Sequence, residues 1–364
     1  MKIIIVQKSK FISCPPIISV LLILSELDIE VELVTISLTD EWKRILTQKG
    51  IAYHEIADST VPGKLGQVFS YINFKKCVKR LLKQERAPFY LWIEGAHTIL
   101  SLGTLINEYK SVLHILELHE KNKYQLYAIS RVIRRASAVV MPEYNRAVLY
   151  QIWFKLASRP FVLPNKPYFL PSTEEIEKYG VKYKEYLDLF KTKKVILYQG
   201  HIGLERDLTP YLRAIKSMGG DYQFVVLGKD HGAVSHYREV LPSLIHIDFI
   251  PAPEYLLFTK YSYIGVVSYV PSDLNNAFCA PNKIYECTYY GLPILANDIP
   301  GLKYTIEYSG AGVCVNENQE DDIIRGIREI ENDYEGFSKR AKDFCESANN
   351  KLTIKGIIEG LINE

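Results

Sequence analysis

Short β-branched runs alternate with longer segments in which apolar residues recur every three or four positions, and the alternation persists along the chain. Runs such as "KIIIV" and "VILYQ" are nearly continuous in apolar residues, the pattern of strands covered on both faces. In the first half, strands are predicted at 2–6, 30–36, 51–56, 89–93, 112–117 and 138–141. Helices are predicted at about 15–27, 64–86, 97–109, 121–135 and 143–154. The second half repeats the scheme, with strands at 195–199, 223–228, 246–250, 263–270, 294–297 and 312–315. Such alternation means parallel sheets with helices on both faces, twice over. Between the halves lies "LPNKPYFLPSTEE", whose three prolines suit neither element and mark a linker. Ligands of these sheets bind outside the carboxyl ends of the strands, so two facing sheets would frame one cleft.

Composition changes this picture little. The 364 residues suit two domains, and 48% hydrophobic and 24% charged content is ordinary for a globular protein. The opening run reads as a strand rather than a signal peptide, and the apolar stretch at 17–24 is too short to span a bilayer. The six cysteines form no C-x-x-C pair and no zinc-spaced cluster with histidine, which suits free thiols in a reducing cytosol. No D-x-D occurs, so the usual carboxylate pair of a metal–diphosphate clamp is missing. Charge is uneven: residues 1–170 hold 23 Lys and Arg against 14 Asp and Glu, and the rest 21 against 28. A basic half hints at an anionic surface or partner.

Two stretches carry candidate chemistry. In "YQGHIGLERDL" (198–208), Gly200 and Gly203 loosen a turn after a strand, and Arg206 stands just before a helix expected near Asp207. A guanidinium there suits a diphosphate, although an arginine in such a loop is often simply solvated. In "CAPNKIYECTYYGLPILAND" (279–298), Pro281 suits a first helical position and Gly291 with Pro293 stops the helix. Lys283 and Glu286 then share one face of its first turns. A surface salt bridge would explain the pair. So would a sugar nucleotide, with the lysine neutralising diphosphate and the carboxylate accepting from ribose hydroxyls.

Here a resemblance becomes specific. "APNKIYECTYYGLPILAND" resembles the PNK-(aromatic)-E segment of nucleotide-sugar glycosyltransferases with the GT-B fold, of the retaining family four type. "YQGHIGLERDL" resembles their diphosphate loop, "LELHE" (116–120) their D-s-H-E stretch, and "FVLPNKP" the segment closing their first domain. "FIPAPEYLLFTKYSYIGVV" resembles their base-binding region, and the matches keep the family's order over nearly the whole chain.

The resemblance implies an α/β, GT-B architecture of two Rossmann-like domains facing a central cleft. These would be an acceptor-binding domain at 1–168 and a nucleotide-sugar-binding domain at 169–345. A C-terminal helix at 346–364 would return toward the first. It implies Arg206 and Lys283 at the diphosphate with Gly200, His201 and Asn282 beside them, Glu286 at the ribose, and Phe249 and Ile250 at the base. It also implies His119 and Glu120 near the transferred sugar, with catalytic roles; a core or capping histidine is the plainer reading of His119. Phe278 stands where the family usually has a sugar-contacting glutamate, for which Asn275 or Asn276 would substitute, and the glycine-rich acceptor loop is replaced by "KSKFISCPP". The expected activity is transfer of a sugar, of hexosyl type, from a nucleotide diphosphate to a saccharide or lipid-linked acceptor in polysaccharide or glycoconjugate synthesis. No metal or other cofactor is expected. The alternatives are a non-catalytic nucleotide-sugar-binding subunit and a nucleotide-sugar epimerase or hydrolase.

One stretch lies outside that frame. In "YINFKKCVKRLLKQER" (71–86), Tyr71, Phe74, Val78, Leu81 and Leu82 share one helical face, and Lys75, Lys76, Lys79, Arg80, Lys83 and Arg86 the other. A solvated surface helix explains this. An anionic membrane surface, met by a cytoplasmic peripheral enzyme, is the sharper expectation, and no recognised nucleic-acid module accompanies the charge.

Overall fold

A computed structural model describes residues 1–59 and 61–363 and divides the chain into two compact units. The first comprises Met1–Tyr168 and the C-terminal segment from Asn349; the second is Phe169–Ala348.

The first unit is a parallel sheet of β1 (Lys2–Gln7), β2 (Glu30–Thr35), β3 (Ala52–Glu55), β4 (Phe89–Glu94), β5 (Ser111–His114), β6 (Ala138–Met141) and β7 (Phe161–Val162). Their order is β3-β2-β1-β4-β5-β6-β7, with Ile4 opposite Glu32 on one side and Leu91 on the other. Chain order reverses between β1 and β4, so their carboxyl ends, at Gln7 and Glu94, frame the crevice of this sheet. Ile3, Ile5 and Trp92 pack with Val20, Leu21 and Leu24 of the Pro15–Glu26 helix, one continuous apolar core. The Asn350–Asn363 helix joins it through Ile354, Ile357, Ile358 and Leu361. Tyr90 donates its hydroxyl proton to the Leu361 carbonyl at 3.0 Å, and Asn350 Nδ2 donates to the Pro164 carbonyl at 2.9 Å.

The second unit orders its strands β10-β9-β8-β11-β12-β13, all parallel. These are β8 (Lys194–Gln199), β9 (Tyr222–Leu227), β10 (Ile245–Ile247), β11 (Ile264–Val267), β12 (Ile294–Asn297) and β13 (Gly312–Val315). The reversal falls between β8 and β11, whose carboxyl ends carry Gln199–Gly200 and Ser268–Tyr269.

Most predicted strands stand within two or three residues, and the exceptions have physical causes. The helix Asp40–Gln48 was not predicted because it buries only Leu46 and is fixed locally, Thr39 accepting from the Trp42 amide at its start. The strand expected to reach residue 117 ends at His114: the Leu116 carbonyl faces the buried Arg146 guanidinium instead of a neighbouring strand. The helix near Asp207 begins at Thr209, because Leu204–Arg206 is a separate 3-10 turn and Asp207 accepts from the Thr209 amide at 2.9 Å.

Candidate functional site

The loops following β8 and β9 meet through two glycines. Gly228 has φ +144°, and a Cβ there would collide with the Gly200 carbonyl, so only glycine lets the two turns approach. Gly200 has φ +131°, and a Cβ on it would sit 3.1 Å from Lys283 Nζ. The turn after β8 is therefore shaped to leave room for a lysine from another element.

Lys283 opens the Lys283–Tyr289 helix; Asn282 precedes it with helical dihedrals and no side-chain cap, and Pro281 lies before that. Lys283 Nζ donates to the Gln199 carbonyl at 2.7 Å and lies 4.7 Å from the centre of the Tyr198 ring and 5.8 Å from that of Tyr269. The Arg206 guanidinium covers the same Tyr269 ring at 3.9 Å. Two cations thus converge on one aromatic ring, and among the described residues neither forms an ion pair with a carboxylate. Burial, followed by the field of Arg206, pushes Lys283 down to about 8 against the opposing pull of Glu286. Asn297 fixes the shared ring: its Oδ1 accepts from the Tyr269 amide at 3.1 Å and its Nδ2 donates to the Tyr269 carbonyl at 2.8 Å.

Glu286, one turn further, is buried at 9% exposure. Its two oxygens accept from Gln199 Nε2 at 2.7 Å and the Tyr255 hydroxyl at 2.6 Å, and Gln199 Oε1 accepts from Thr259 at 2.6 Å. Burial raises the Glu286 carboxyl, and these donors together with Lys283 oppose the rise. Each oxygen retains acceptor capacity beyond its one protein donor. A cation for an anion and a buried, oriented carboxylate for hydroxyls stand one helical turn apart.

The other predicted residues stand on several separate loops. The exposed His201 ring stacks on His231 with centroids 4.1 Å apart, and its Nε2 meets the Glu205 carboxylate, which offsets any positive charge it brings. Asn275 and Asn276 lie half-buried in the short Leu274–Ala277 helix after β11, where Asp273 accepts from the Asn276 amide at 2.7 Å; Phe278 follows directly. Phe249, 69% exposed, and the buried Ile250 lie on the loop after β10. His119 and Glu120 belong to the first unit, on the loop leaving β5. His119 holds a left-handed backbone, φ +60°, and burial keeps its imidazole below the usual range, so it is neutral near pH 7. Such a dihedral on a non-glycine residue marks a conformation fixed by its surroundings.

Tyr269, Gln199, Tyr255 and Asn297 were not singled out from sequence. Tyr269 and Gln199 could have been, since each stands at the carboxyl end of a strand beside the sheet reversal. Tyr255 and Asn297 act only through contacts that no spacing reveals.

Residues 182–351 match the family model of glycosyl transferases group 1. No curated protein matches the sequence significantly. Among solved structures, Anabaena HepE in complex with UDP-glucose superposes with a TM-score of 0.71 at 13% identity, covering 100% of this chain and 98% of that one. Sucrose-phosphate synthase from Thermosynechococcus elongatus gives 0.72 at 12%, with 100% and 98% covered. An E. coli trehalose-6-phosphate protein bound with UDP-2-fluoro glucose gives 0.68 at 10%, with 99% of both chains covered. At these identities the likeness establishes the fold. The resemblance read from the sequence is therefore supported: residues 182–351 are similar to glycosyl transferases group 1, in a chain of the GT-B fold class.

Proposed function

We propose that the protein transfers a hexosyl group from a uridine diphosphate sugar to a saccharide or lipid-linked acceptor in cytoplasmic polysaccharide or glycoconjugate synthesis. The observation that carries this reading is the convergence of Arg206 and Lys283 on the Tyr269 ring without a carboxylate partner. Two unneutralised cations at the reversal point of a parallel sheet suit a leaving diphosphate, whose charge grows in the transition state. Glu286 accepts from the ribose diol, and the loop around Phe249 and Ile250 meets the base. The choice of uridine rests on the UDP-sugar complexes of HepE and the E. coli protein. His119 and Glu120 are assigned to the transferred sugar, with retention of anomeric configuration. Protein cations do the neutralising, in keeping with a sequence lacking D-x-D, so turnover is metal-independent.

A panel of UDP-, GDP- and dTDP-sugars tests the donor by thermal shift in chelator. A donor at 100 times its Kd stabilises by about 2.7 kcal/mol. Stabilisation by UDP-sugars above the others, with label passing to a glycan acceptor, is the expected result. No stabilisation by any nucleotide sugar overturns the reading. Donor binding without transfer or hydrolysis across many acceptors selects the non-catalytic subunit instead, which Phe278 at the sugar-contacting position favours.

A further inference from the structure

The Gly63–Gln84 helix spans 22 residues without a single Asp or Glu. Phe74, Val78 and Leu82 turn inward and are buried, so they are unavailable to any partner. Its outward face contains something that charge alone did not reveal. Leu65, Val68, Phe69 and Ile72 are 72%, 52%, 58% and 47% exposed, and Lys76, Lys79, Arg80 and Lys83 are exposed after them. At about 100° per residue all eight fall within an arc of about 120°. The face is therefore divided along its length: two apolar turns in front, two cationic turns behind. Arg86 lies beyond the helix end.

The neighbouring surface continues the pattern. The Gly95–Leu102 helix packs against both this helix and Lys123–Ser130, which puts the two on one side of the first sheet. Lys123–Ser130 presents Tyr124 and Tyr127, 80% and 66% exposed. A shallow groove of about 370 Å³ runs beside Val68, Ile72, Lys75 and Leu100. Four large apolar side chains in water on one helix are unusual for a surface with nothing to cover it. Lysines behind them and tyrosines beside them are the composition of a surface at the boundary between lipid and water.

We propose that this face seats the first unit on an anionic lipid surface. Leu65, Val68, Phe69 and Ile72 enter the acyl boundary, and Lys76, Lys79, Arg80 and Lys83 lie against phosphate headgroups. Charge complementarity selects this occupant: a carboxylate-free helix opposes another copy of itself and favours a continuous negative surface. The helix follows β3, so its apolar front starts from the carboxyl-end side of the first sheet, the side on which such sheets bind ligands. A lipid-borne acceptor would be delivered there. The seating itself does not depend on the transfer reaction.

The test is co-sedimentation of the full chain, without donor, with vesicles of phosphatidylcholine alone or mixed with phosphatidylglycerol. Binding to the anionic vesicles only, weakened on going from about 0.1 to 1 M salt, is expected. Lys76→Gln/Lys79→Gln/Lys83→Gln and, separately, Leu65→Gln/Phe69→Gln should each lower the partition coefficient about tenfold or more. All five positions are exposed, so folding is spared, and unchanged UDP binding by the variants checks this. In Phe69→Trp, emission should shift to the blue on anionic vesicles and be quenched by brominated acyl chains. Equal recovery with both vesicles, no effect of the apolar pair, or a water-like Trp spectrum each overturns the proposal. So does a mass in solution that falls from dimer to monomer in the apolar pair, since a second copy then covers the face.

Discussion

Raising the pH from 7 to 9 should loosen UDP from the protein while uridine binding stays level. Burial and the adjacent Arg206 guanidinium hold Lys283 at about 8, far below its ordinary 10.5. The free protein thus goes from about nine-tenths charged at this lysine to about one-tenth over that interval. A bound diphosphate restores the proton, so above pH 8 binding carries the cost of protonation. The loss is about tenfold in Kd by pH 9, or about 1.4 kcal/mol. A guanidinium does not titrate in this range, and UDP's terminal phosphate has shed its second proton near pH 6, so neither kind of group contributes a slope. Lys283→Met should bind UDP more weakly at pH 7 and show a flat profile. Stability has the opposite sign. A lysine whose folded value is depressed disfavours folding below about 8, and the penalty fades as pH rises toward 10.5. The methionine variant, which lacks this buried charge, should therefore melt no lower than the parent at pH 7 despite its poorer binding. Calorimetric titration at pH 7, 8 and 9 with parallel melting curves makes the check. A parent profile flat through pH 9, or one whose slope survives in the methionine variant, refutes the assignment.

Arg206→Ala should weaken UDP by roughly 1.5–3 kcal/mol, the scale of a charge-assisted bond, and leave uridine affinity nearly unchanged. Glu286→Gln should weaken uridine as well as UDP, because its partner is the ribose; unchanged uridine affinity removes that assignment. Gly228→Ala, which drives a Cβ into the Gly200 carbonyl at φ +144°, should cost more than about 2 kcal/mol of stability in a denaturant titration. Chelator should leave transfer nearly intact, and an obligatory manganese or magnesium requirement would sink the metal-independent mechanism.

Arg206, Lys283 and Glu286 were legible because each follows a strand or opens a helix, and local spacing fixes where such residues stand. The alternation of apolar runs likewise announced two parallel sheets, since a strand covered on both faces has few other forms. What the spacing did not carry is agreement between distant segments. That Arg206 and Lys283 meet on Tyr269 depends on the order in which β8, β11 and β12 lie side by side. The engagement of Glu286 by Tyr255 and Gln199 depends on it too. The helix at residues 63–84 shows the same limit from the other side. Its basic stripe was visible, but that Leu65, Val68, Phe69 and Ile72 stand uncovered in front of it depends on what the fold packs against the helix. β7 is two residues long and pairs with β6, too short a run to give a periodicity to detect.

The Asn350–Asn363 helix packs in the first core although, in sequence, the whole second unit separates it from the rest of that core. During synthesis the earlier segment must therefore wait, its apolar seat against the Pro15–Glu26 helix open, until residues 169–348 have been made. Ile354, Ile357, Ile358 and Leu361 are each worth about 1.5–3 kcal/mol on burial, together comparable to the net stability of a typical domain. Truncation just before Asn349 should therefore cripple the unit built on residues 1–168 and spare that of residues 169–348. The two units are consequently unequal as pieces: residues 169–348 form one uninterrupted stretch that can be excised, whereas their neighbour can be rebuilt only from two fragments.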